Sequence, residues 1–157
     1  MIRVSLFIFV SFLMIGTVTG QDDFVLTNCP EGYQPHPDKE VLTFADMMPS
    51  WKGCEKFDFP AKREECTAKE VEKYVKENLV YPERADQMYL EGQVFIKFVV
   101  EENGCLSNIA ISRTLGGHTG WEAQKLVRGM PYWNPGMDKG SIARVEMHIP
   151  VTFERID

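Results

Sequence analysis

Three histidines, His36, His118 and His148, and four cysteines, Cys29, Cys54, Cys66 and Cys105, are the side chains best suited to chemistry in this chain of 157 residues. His36 stands in a proline-rich stretch, His118 in the run Gly116-Gly117-His118-Thr119-Gly120, and His148 on the polar side of an alternating segment. No serine or carboxylate accompanies them at a spacing that would join nucleophile, base and orienting group. The chain therefore reads as non-enzymatic, with no catalytic residue assigned. The glycine run could cradle a phosphate ahead of a helix, but it lacks the Lys-Ser/Thr ending that phosphate loops use. The cysteines show no CxxC spacing and the histidines are scattered, so no metal site is expected. Trp133, between Pro131 and Pro135, could stack on a ligand. In a rigid turn near a helix end it reads instead as a lid over the edge of the core. No cofactor and no small-molecule substrate follow from these residues.

Cysteine chemistry depends on compartment, and the N-terminus supplies one. Arg3 precedes a run from Val4 to Ile15 that is apolar except for Ser5 and Ser11, and Val18-Thr19-Gly20 puts small side chains before Gln21. Residues 1–20 therefore read as a secretory signal cleaved after Gly20, with a retained anchor as the rival, since crossing a bilayer takes roughly 20 apolar residues and this run is shorter. Export places all four cysteines where disulfides persist. Three pairings are possible. Closeness in sequence favours Cys54 with Cys66, which leaves Cys29 with Cys105.

Taking 20 of the 157 residues away leaves 137, enough for one domain of modest core with an irregular N-terminal part. The formal charge is −6, and loss of Arg3 makes it −7, which excludes nucleic acid and anionic membrane surfaces as natural partners. Residues 21–60 are rich in prolines and turn formers and read as extended or looped chain. Residues 61–157 read as the domain.

Within it, Thr67 and Glu70 have the spacing of a capping box, followed by Val71, Tyr74, Val75 and Leu79 at helical intervals until Tyr81-Pro82. From residue 93 to 100, Val94, Ile96, Phe98 and Val100 alternate as in a strand, and Asn103-Gly104 turns the chain into a second strand through Ile109 and Ile111. Thr119 with Glu122 predicts a second helix whose stripe is Ala123, Leu126, Val127 and Met130. Residues 144–154 alternate Val145, Met147, Ile149, Val151 and Phe153 with polar neighbours, a third strand. The expected fold is α+β: helix, strand, strand, helix, strand, with two helices on one face of a three-stranded antiparallel sheet in the order 2-1-3. Phe95 and Val99 would lie on the opposite face, covered by residues 47–51 or by a partner.

This order is joined by a set of fixed points. They are Tyr81-Pro82, Glu91-Gly92-Gln93-Val94, Phe98-Val99-Val100, Asn103-Gly104, Gly116-Gly117, Met130-Pro131-Tyr132-Trp133-Asn134-Pro135-Gly136 and Ile149-Pro150-Val151-Thr152-Phe153. Together they resemble the C-terminal domain family of TonB, in its standalone or short-linker exported form in Gram-negative bacteria. The linker sets a limit on reach: the residues from 21 to 66, fully stretched, span at most ~160 Å. The resemblance implies a periplasmic or envelope protein-binding module linked to TonB-dependent transport. Its last strand would accept an extended peptide from an outer-membrane receptor or another envelope protein. The alternative it implies is a structural or assembly protein that self-associates, as a homodimer, through that strand.

Pro150 locates the accepting edge. Lacking an N–H, it fits only where that group would have pointed away from a neighbouring strand. With a backbone period of two, Arg144, Glu146 and His148 then share its open side, and partner binding is expected along Arg144, Glu146 and His148, stopping at Pro150. Pro150 and its charged neighbours could equally serve only to protect an exposed edge from aggregation.

Overall fold

The computed structural model describes residues 27–34, 36 and 39–155; the candidate signal at residues 1–20 lies outside them. In chain order the elements are β1 (Val41–Leu42), α1 (Pro60–Asn78), α2 (Glu83–Gln87), β2 (Gly92–Val100), β3 (Leu106–Arg113), α3 (Thr119–Arg128), β4 (Gly136–Asp138) and β5 (Ser141–Phe153). No described helix is long and apolar enough to cross a membrane.

β2 and β5 are antiparallel from Gly92 opposite Phe153 to Val100 opposite Val145, and β3 lies on the other side of β2. The alternating apolar residues of these strands meet the helical stripes of α1 and α3. Phe98, Phe153, Ile96 and Val151 are fully buried against Val71, Val75, Ala123, Leu126 and Val127. Each of the valine, leucine, isoleucine and phenylalanine side chains contributes roughly 1.5–3 kcal/mol on leaving water. The turn from β2 to β3 is held by Gly104 N–H to the Glu101 carbonyl at 2.8 Å and Glu101 N–H to the Cys105 carbonyl at 2.9 Å. Gly104 adopts a φ of +84° there.

The expected three-stranded antiparallel sheet needs correction. Its three strands do occur in the expected spatial order, but the sheet has five strands and is mixed, running β1-β5-β2-β3 with β4 also paired to β5. β1 joins in parallel, Val41 beside Arg144 and Leu42 beside Val145. A third helix, α2, is also present. The two capping boxes do not form. Thr67 lies inside α1, buried, with its hydroxyl donating to the Arg63 carbonyl, because Pro60 with its fixed φ already starts the helix two turns earlier. At α3 the N-cap is His118, in the left-handed region at φ 68°, and the Thr119 hydroxyl donates back to the Gly116 carbonyl.

Two disulfides tie the N-terminal segment down, Cys54–Cys66 to α1 and Cys29–Cys105 to the β2–β3 turn. Asn28 reinforces the second. Its N–H donates to the Leu106 carbonyl at 2.9 Å, and its side chain accepts from Leu106 N–H at 2.6 Å and donates to the Met130 carbonyl at 2.9 Å. Residues 47–51 do not cover the Phe95–Val99 face as expected. Trp51 joins the helix-side core, tilted against Tyr74 at 5.5 Å and edge-on to Trp133 at 5.7 Å. The opposite face is approached near Val99 by Tyr33 and Lys39, which bond to Glu101 and Glu102.

Candidate functional site

β5 carries the expected site residues, and its pairing divides them. The register sets Pro150 opposite Phe95. Since Pro150 has no N–H, this must be a position without reciprocal hydrogen bonds, and the alternation of an antiparallel ladder then points the backbone of Glu146, His148, Pro150 and Thr152 away from β2. β1 pairs only at Arg144 and Val145, and β4 only from Ser141 to Ala143. From Glu146 onward no described strand covers this outer edge of β5.

Arg144 is therefore set apart from the others. Its backbone is beside β1, and the residue is 9% exposed. There it grips Glu101, Nε to Oε2 at 2.7 Å and Nη2 to Oε1 at 3.0 Å, and gives a third bond to the Lys39 carbonyl at 3.0 Å. The Tyr33 hydroxyl reaches the same carboxylate at 3.4 Å. Partial burial first, and the Glu101 charge second, push the Tyr33 phenol above its usual pKa. This cluster clamps the N-terminal segment to the sheet and leaves the free edge to begin at Glu146. On the solvent face, His148 Nε2 and Glu146 Oε1 lie 3.0 Å apart, and Lys97 Nζ stands 4.0 Å from Glu146.

Beside the free edge runs a groove of about 840 Å³ between β5 and α1. Val71 and Val75 of α1 and Met147 and Ile149 of β5 give it apolar walls, and Phe44, Met48 and Pro49 close one end. That end wall is fixed by Cys54–Cys66 and by Trp51 N–H donating to the Thr67 hydroxyl at 3.1 Å. Asn134 holds it from the other side, exchanging backbone bonds with Ser50 at 2.8 and 3.1 Å. Trp133 reaches the groove from the core, 4% exposed and edge-on to Phe98 at 5.5 Å, as a packing residue. The groove was not expected from the sequence. Its only local signal was that Thr67, Val71 and Val75 repeat every turn, which is equally the mark of any helix with a buried face.

His36, His118 and His148 come from separate parts of the fold, the N-terminal segment, the α3 N-cap and β5, and no group of three or more metal-ligating side chains occurs among the described residues. What these elements define is an α+β domain in which the free edge of β5 is set beside an apolar groove. Residues 77–154 match the family model of the Gram-negative bacterial TonB protein C-terminal, and this part of the chain belongs to that family. The family's domain is a non-enzymatic protein-interaction domain of the envelope. Comparison with curated proteins and with solved structures gives no match.

Proposed function

We propose that this chain is a non-catalytic protein-binding domain of the periplasm or cell envelope, serving TonB-dependent transport. Its partner is an extended segment of an outer-membrane receptor or of another envelope protein, added as a strand on β5. The observation that carries this reading is the free edge itself. Glu146, His148 and Thr152 each turn an N–H and a carbonyl outward, Pro150 a carbonyl alone, and the edge borders an apolar groove that alternate side chains of an added strand can fill.

His148→Pro tests it. The substitution removes an outward donor and none of the bonds to β2, so the fold should persist by circular dichroism. Binding of a receptor-derived peptide should weaken by about two- to tenfold, the worth of one lost hydrogen bond. Unchanged affinity in a folded variant contradicts strand addition at this edge. A second reading, self-association of two copies through the same edge, draws on the same unpaired backbone. Sedimentation velocity distinguishes them, because a β5-to-β5 dimer would be split by the peptide and a monomer would not change.

A further inference from the structure

Building on the strand-addition reading, we infer that the groove selects an extended protein segment carrying a lysine or arginine on its helix-facing side, with the stem over Ala68 and the cation beside Glu64. Both residues line the groove. Positions four apart on a helix lie one above the other, so α1 presents Glu64, Ala68 and Glu72 as a row toward β5. Two other acids of this helix are neutralised one turn on: Glu65 by Lys69 and Glu72 by Lys76, each at 2.7 Å. One turn after Glu64 comes Ala68, and Glu64 has no ion-pair partner among the described residues. The far end of the groove is different, for Lys76 already sits between Glu72 and the field of Glu154.

Ala68 is exposed and contributes only a methyl group, leaving a shallow notch between longer neighbours. Long basic side chains lay their methylene stems on apolar surface and keep the charge in water, which suits a notch with an apolar floor and a carboxylate at its rim. An acidic side chain in the same place would meet Glu64 with no cation to screen it. The chain's net charge of −6 acts in the same direction during approach.

The test uses the full chain and two synthetic peptides of about ten residues, the length of a long strand, with blocked ends and alternating valine and threonine. They differ only in having lysine or glutamate at one helix-facing position. Affinity is measured by calorimetry, and amide shifts at Glu146 and His148 report strand pairing. The lysine peptide should bind about two- to fivefold tighter, the worth of one exposed ion pair. That preference should vanish in Glu64→Gln and survive in Glu65→Gln. Equal affinities, or a lysine preference undiminished in Glu64→Gln, overturn the charge selection while the amide shifts keep strand addition standing. If neither peptide binds or shifts those amides, strand addition fails and the selection with it.

Discussion

The guanidinium of Arg144 and the carboxylate of Glu101 form a two-pronged ion pair in which Glu101 is fully buried, although 43 positions separate them in sequence. Removing one partner leaves the other buried and uncompensated, so Arg144→Ala should cost about 3–5 kcal/mol. Chemical denaturation measures the loss. Replacing both together, Glu101→Leu with Arg144→Met, should recover much of it, and a double variant as unstable as the single one would contradict the pairing.

The two disulfides should differ in weight. Cys29 and Cys105 are 76 positions apart and Cys54 and Cys66 only 12. By loop-closure entropy, loss of the long bridge costs about 4 kcal/mol and of the short one about 3. Serine pairs at each bridge, compared by thermal unfolding, should rank in that order. Peptide mapping without reductant should recover Cys54 joined to Cys66, and finding it joined to Cys105 would overturn the assignment.

Gly104 admits no side chain. A Cβ there would stand 2.0 Å from the Trp133 carbonyl oxygen, and its φ is already +84°. The Gly104 carbonyl also accepts from Trp133 N–H at 2.8 Å, so neither backbone can move aside alone. Gly104→Ala should destabilise by about 2–4 kcal/mol, since strain and a backbone clash act together. A melting temperature equal to that of the parent protein would show that the turn and the Trp133 loop are not locked.

The parts of this fold that a sequence displays are those with a period. Ile149, Val151 and Phe153 against His148, Pro150 and Thr152 wrote β5 plainly, and Pro150 alone gave the side on which its edge is open. Elements too short to repeat stayed hidden. β1 is two residues and is held by a partner far along the chain, while β4 is three and pairs with Ser141–Ala143 across the Lys139–Gly140 turn. Neither is long enough to show a period of its own. The first turns of α1 were missed because Lys62, Arg63, Glu64 and Glu65 show no apolar stripe, while Thr67 and Glu70 imitate a helix start. Arg144 has the same backbone parity as Glu146, His148 and Pro150, as the period of two requires, but the edge there is taken by β1, which is too short to be legible. Nothing local announces that Glu101 pairs with its side chain.

The outer edge of β5 is free of described strands from Glu146 and closed by β1 before it. Titrating the isotope-labelled full chain with a receptor-derived peptide and following backbone amides tests this directly. Shifts should concentrate at Glu146, His148 and Thr152, with Arg144 little affected because β1 already covers it. Shifts confined to the β2–β3 hairpin, with Glu146 and His148 unmoved, would contradict it.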